Sequence, residues 1–144
     1  MIVPDVNLLL YAYDTASPFH VPARSWWQAC LTGTEPVGLA YVVLFGFMRV
    51  STSARVFRTP LAASEAASHV RAWLDQPVTE VLVPGPGHTG HVLNLIDSLG
   101  TAGNLVTDAQ IAAIAIEHDA VVHTSDADFT RFPGLRWINP VAAA

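Results

Sequence analysis

The chain has 144 residues, enough for one domain around a single core and too few to suggest two. Half of it is apolar (51%) and only 13% is charged, a balance that points to buried surface beyond the core, such as a homodimer interface. A formal charge of −5 excludes a protein that holds nucleic acid by bulk positive charge.

In chain order, residues 1–4 form a short strand with Asp5 at its end, and residues 8–13 a helical turn or two. Pro22 sits in the first turn of a helix over residues 22–31, which Gly33 ends. Residues 35–39 are a short strand and residues 41–51 a largely buried helix, followed by a loop over 55–60 that exposes Arg55 and Arg58. Residues 61–74 are alanine-rich, with Ala62, Ala66, Val70 and Trp73 or Leu74 at helical spacing. Residues 78–83 alternate as a strand until Pro84-Gly85-Pro86-Gly87 breaks them. A helix over 91–99 closes on Gly100, and another starts within 103–110 and runs to His118. A buried strand at 120–123, a loop at 124–129 and a last strand at 136–138 follow, then an alanine tail over 141–144.

Strands alternate with helices, and no two-residue hairpin turn joins any pair. That pattern predicts an α/β fold: one domain over residues 1–140, with a central, mostly parallel sheet of four to five strands and helices on both faces. In such sheets ligands bind beyond the carboxyl ends of the strands. The longest apolar stretch, residues 37–48, ends at Arg49 and falls short of the roughly 20 residues a membrane span needs. The N-terminus carries Asp5 and no basic residue, unlike a secretory signal. Cys30 is the single cysteine and reads as core filler in a reducing compartment, so a cytoplasmic location is expected. All seven cations are arginines, which make forked contacts to phosphate, so nucleic-acid binding stays open.

Most of the acids, including Asp14, Glu35, Glu65, Asp75 and Glu117, fall in polar turns or on solvated faces. Asp5, Asp126 and Asp128 differ, because each follows an apolar strand at its carboxyl end. Asp108 stands in the first turn of a helix. Singly, Asp108 reads as a helix cap or dipole contact, and Asp126 with Asp128 as an Asx-type turn. Together they can converge at the ends of adjacent parallel strands. Ionised carboxylates gathered in a small space call for a compensating cation, and an all-oxygen set favours Mg²⁺ or Mn²⁺. The six histidines form no metal pattern; His88 and His91 are three apart with no third ligand near.

These segments resemble the PIN-domain ribonucleases, specifically VapC-type toxins of toxin–antitoxin pairs. The resemblance rests on Asp5-Val6-Asn7-Leu8-Leu9-Leu10-Tyr11-Ala12, His20 to Ala23 with Trp26-Trp27, Gly46-Phe47-Met48-Arg49, Gly103-Asn104 through Asp108-Ala109, and Thr124-Ser125-Asp126-Ala127-Asp128-Phe129. They recur in order over nearly the whole chain. The resemblance implies a PIN fold, Mg²⁺- or Mn²⁺-dependent RNA cleavage by an activated water, a homodimer, and a cognate VapB-type antitoxin as inhibitor. Structured RNA such as tRNA is the implied substrate class. Asp5, Asp108 and Asp126 match its metal ligands, Asp128 an additional ligand or supporting acid, and Asn7 and Thr124 the polar residues of the pocket. The family usually carries a glutamate on the helix before Gly-Phe-x-Arg. Here that stretch has no acid, and Leu44 or a neighbour holds the place.

Arg49 is expected to face the pocket entrance or pair with an acid there, while Arg55 and Arg58 are candidates for RNA phosphate contacts. Trp26 and Trp27 are expected to pack against a partner chain rather than stack on bases. Two rival functions remain. One is a PIN-like binding module that has lost its chemistry, for which the absent glutamate is the only support. The other is a phosphatase-type enzyme, suggested by Asp126-x-Asp128-x-Thr130, against which stand that loop's position near the C-terminus and the absence of any lysine.

Overall fold

Strands β1 (Ile2–Pro4) and β2 (Val37–Ala40) bury every one of their residues. Successive side chains of a strand point to opposite faces, so complete burial means that both faces of the sheet are covered. The computed structural model, which describes residues 1–142, builds this sheet from five strands in the order β3-β2-β1-β4-β5, with β3 at Thr79–Leu82, β4 at Val121–His123 and β5 at Arg136–Ile138. Every pairing is parallel, so the expected mostly parallel sheet is wholly so. Of the expected tail over 141–144, residues 143 and 144 lie outside the described residues.

Six helices connect the strands: α1 (Val6–Tyr13), α2 (His20–Thr32), α3 (Tyr41–Ser51), α4 (Ala63–Leu74), α5 (His88–Leu99) and α6 (Leu105–Glu117). Their starts move from the sequence reading at four places: α1 begins at once after Asp5, α2 two residues before Pro22, α4 two residues after Leu61, and α5 three before His91. The latter half of the loop expected at 124–129 winds into a short 3-10 turn over Ala127–Arg131, because the Asp126 side chain accepts a hydrogen bond from the Asp128 amide and caps it. Gly100 ends α5 with φ +70, the left-handed conformation that glycine adopts without strain.

One aromatic cluster anchors the helices that follow β1 and β2. Trp73 of α4 lies edge-on to Trp27 of α2 (5.5 Å between ring centres) and to Phe47 of α3 (4.7 Å), and its indole N–H donates to the Tyr13 hydroxyl at 2.8 Å. Helix α6 buries Ala109 and all of Ile111 through Ala115, more than one face, which its alanines permit by letting neighbours approach closely. Gly38 is a second tight spot: a Cβ there would stand 2.5 Å from Leu82 Cδ1. Cys30 is buried, and burial pushes its thiol up to about 11, in keeping with a filler role. Among the described residues no helix is long and apolar enough to cross a membrane.

Candidate active site

The strand order places a switch point between β1 and β4. From β1 the chain winds outward to β2 and β3, then crosses back to lay β4 on the other side of β1. The crossovers diverge there, leaving a crevice beyond the carboxyl ends of those two strands. Asp5 follows β1 directly, and Thr124 and Asp126 follow β4. Three predicted residues are therefore brought to one edge by topology, with Asp128 on the 3-10 turn beside them.

Asp5 is buried, at 1% exposure. Its amide donates to the His123 carbonyl at 2.9 Å, extending the β1–β4 pairing by one step. The Thr124 hydroxyl donates to Asp5 Oδ2 at 2.7 Å and accepts from the Asp126 amide at 3.0 Å. Thr124 is wholly buried and its amide donates to the Ile138 carbonyl at 3.0 Å, so the residue is held from three sides. Asp126 Oδ1 in turn accepts from the Asp128 amide at 2.9 Å. The Asx-type turn expected of these two aspartates is thus present, and it shapes the loop that carries them.

Burial raises the Asp5 carboxyl to about 6, with the Asp126 charge adding to the rise. The Thr124 hydroxyl and the nearby amides of Val6 and Asn7 pull the other way, although neither amide closes a capping hydrogen bond. Asp108, half-buried in the first turn of α6, is raised to about 7 by desolvation and then by the charges of Asp5, Asp126 and Asp128. All four carboxylates therefore share one field. Among the described residues no arginine, histidine or terminal amine pairs with any of them. Among the described residues no three His, Cys, Asp or Glu side chains are gathered tightly enough to ligate one ion directly. Asn7 sits half-buried in the first turn of α1 beside Asp5. Leu44, one of the positions expected to stand in for the usual acid, is packed in the core at 4% exposure.

A groove of about 490 Å³ between α3 and α6 is lined by Val6, Phe45, Gly46, Arg49, Thr107 and Gln110. Val6 and Thr107 neighbour Asp5 and Asp108 in the chain, although none of the four aspartates lines the groove itself, and exposed Arg49 stands on it without an acid partner. Of the two alternatives expected for Arg49, pairing with an acid is not found among the described residues. Arg55 and Arg58 are exposed on the loop after α3, as expected, but neither lines this groove. A larger cavity of about 780 Å³, lined by Tyr13, Arg24, Trp27, Glu65 and His69, contains none of the four aspartates. Size does not mark the chemistry here; the convergent charge does.

The tryptophan pair departs from expectation. Trp27 is core, at 2% exposure. Trp26 is half-buried within its own chain, its ring 5.5 Å from Trp27 and 5.9 Å from His123, and its indole N–H donates to His123 Nδ1 at 3.0 Å. Neither ring stands free for a partner chain or a base. Nothing in the spacing of residues 97 positions apart announces that bond; only the packing of α2 against the end of β4 creates it.

Comparison with known proteins matches residues 2–135 to the PIN domain family. Ribonuclease VapC33 of Mycobacterium tuberculosis is 50% identical over 141 residues, covering 98% of this chain and 99% of that protein. Ribonuclease VapC37 of the same organism is 39% identical over 142 residues, covering 99% of each. Among solved structures, Mycobacterium tuberculosis VapC20, a sarcin–ricin loop cleaving toxin, superposes with a TM-score of 0.70 at 16% identity over 94% of this chain and 99% of the other. A VapBC2 complex from Rickettsia felis, bound to a promoter DNA fragment, gives 0.69 at 21% identity over 96% and 98%. At these identities the superpositions establish the fold.

Proposed function

Because the chain belongs to the PIN domain family, and within it to the VapC ribonucleases, we propose that it is a divalent-metal-dependent endoribonuclease, the toxin of a toxin–antitoxin pair, acting at the switch-point carboxylates. One observation carries the reading: four aspartates from three separate chain segments stand close enough that the charges of the others raise the proton affinity of Asp108, and that of Asp126 adds to the rise at Asp5, with no ion-paired cation among the described residues to offset them. An uncompensated all-oxygen set suits Mg²⁺ or Mn²⁺, which keep several waters and need few protein ligands. Asp5, Asp108 and Asp126 would hold the ion, and Asp128 would complete or support the shell. A bound ion of this kind activates the attacking water and neutralises charge on the scissile phosphate.

The rest of the work falls to the chain itself. Thr124 fixes the direction of Asp5 by donating to Oδ2, and through the Asp126 amide it keeps the two acids in register. Asn7 offers an amide at the mouth of α1 for a phosphate oxygen or a water. Arg49 on the groove between α3 and α6 would supply positive charge to offset the repulsion between the carboxylates and the RNA backbone, by taking a backbone phosphate. Arg55 and Arg58 would extend that track only if the RNA reaches past the groove. Partners follow from the family: a VapB-type antitoxin, an RNA substrate in which tRNA or another structured RNA is the proposed class, and a second copy of the chain. Exposed apolar side chains such as Phe45 (67%) and Leu93 (56%) support an oligomeric state.

The test is a cleavage assay on mixed tRNA with Mg²⁺ or Mn²⁺, run beside Asp5→Asn and Asp108→Asn. Metal-dependent cleavage confined to the wild type is expected. RNA left equally intact by all three, with no heat of Mn²⁺ binding to the wild type, would sink the reading and favour a binding module in which Leu44 marks lost chemistry.

A further inference from the structure

We propose that Trp26 is a positioning residue of the active site, acting through the side chain of His123. This rests on the metal-dependent nuclease reading, because its effect is exerted on Asp5. The last residue of β4 carries two connections at once, and the residue after it a third. Its carbonyl accepts the Asp5 amide at 2.9 Å, its Nδ1 accepts the Trp26 indole N–H at 3.0 Å, and the next residue, Thr124, donates to Asp5 Oδ2 at 2.7 Å. Strand β4 is only three residues long, and His123 is its final paired position, opposite Pro4. The sheet holds the backbone of this end on both sides, His123 pairing Pro4 and Ile138, but leaves the direction of its side chain to be fixed from outside the sheet.

Trp26 supplies the restraint from α2. Its ring packs at 5.5 Å on Trp27, which is fixed in the core and lies edge-on to Trp73. The indole N–H can only donate, so His123 Nδ1 carries no proton and the ring is held in the Nε2–H form. The aromatic core is thereby connected to the strand end that aims Asp5 and Thr124 at the crevice. Supports one step removed from metal ligands matter for affinity, with losses of about 10–100-fold when they are removed.

The experiment uses the full chain with Mn²⁺ as probe, read by calorimetry, together with single-turnover cleavage of mixed tRNA at saturating Mn²⁺. Trp26→Phe keeps the packing and deletes the donor; His123→Leu deletes the acceptor; His123→Asn keeps an acceptor where Nδ1 stands. About tenfold weaker Mn²⁺ binding is expected in the first two, recovery toward wild type in the third, and a Trp26→Phe/His123→Leu double variant no worse than either single one. A role in folding alone would lower the melting temperature of Trp26→Phe without changing its Mn²⁺ affinity, and that result overturns the proposal. So does a His123→Asn variant as weak as His123→Leu, or effects that add in the double variant. A wild type that neither binds Mn²⁺ nor cuts RNA would instead overturn the nuclease reading on which the proposal stands.

Discussion

Removing the Asp5 charge should reverse sign between acid and neutral solution in a way that packing cannot imitate. A carboxyl whose ordinary value is 3.8 and whose folded value is about 6 binds its proton more tightly in the folded state. The metal-free protein therefore gains from this group at low pH, and loses that gain as pH rises from about 4 through 6. The gap is worth about 3 kcal/mol when complete, and at 1% exposure there is little solvent to screen it. Asp5→Asn abolishes the titration. The variant carries its own packing penalty, because an amide N–H₂ must replace an oxygen that faces the amides of Val6 and Asn7. That penalty is the same at every pH, so the difference between two pH values isolates the charge. Urea melts of wild type and Asp5→Asn in EDTA at pH 4 and pH 8 should show the variant improving relative to wild type by about 2–3 kcal/mol on going to pH 8. In thermal melts this corresponds to about 5–10 °C for a chain of this size. Adding Mn²⁺ at pH 8 should raise the melting temperature of the wild type and leave the variant unmoved. A relative stability that does not change with pH would refute the burial argument, whatever its absolute value.

Further predictions follow from the same geometry. Asp108, raised to about 7, must lose a proton before it can hold a cation, so the apparent Mn²⁺ affinity should climb between pH 6 and pH 8 with proton release measurable by calorimetry in two buffers of different ionisation heat. A flat affinity would separate Asp108 from the ion. Thr124→Val leaves the Asp126 amide without its acceptor and Asp5 Oδ2 without its donor, and should cost about 2–4 kcal/mol in urea melts, with Thr124→Ser recovering most of it. Arg49→Ala should leave stability within about 0.5 kcal/mol, since the residue is exposed and unpaired. It should also lower the salt dependence of RNA binding by about one phosphate contact. An unchanged salt slope would remove Arg49 from the RNA path.

The order and type of every strand and α-helix were legible in the chain, because hydrophobic periodicity and the Gly and Pro breaks act locally. The carboxylates were legible too: Asp5, Asp126 and Asp128 each follow an apolar strand, and Asp108 opens a helix. What periodicity cannot carry is which strand lies beside which. The order β3-β2-β1-β4-β5 is a long-range result, and it alone brings the ends of β1 and β4 together and gives Asp5 its buried place. The capped 3-10 turn at 127–131 escaped notice because it is set by one side-chain hydrogen bond rather than by a repeating pattern. The fate of the two tryptophans was likewise undecidable from sequence. Adjacent positions on a helix point about 100° apart, and only the packing of α2 settles that Trp27 enters the core while Trp26 reaches His123. Sequence chose the acids and the elements that hold them; tertiary structure chose their neighbours, and with them the proton affinities on which the proposed chemistry depends.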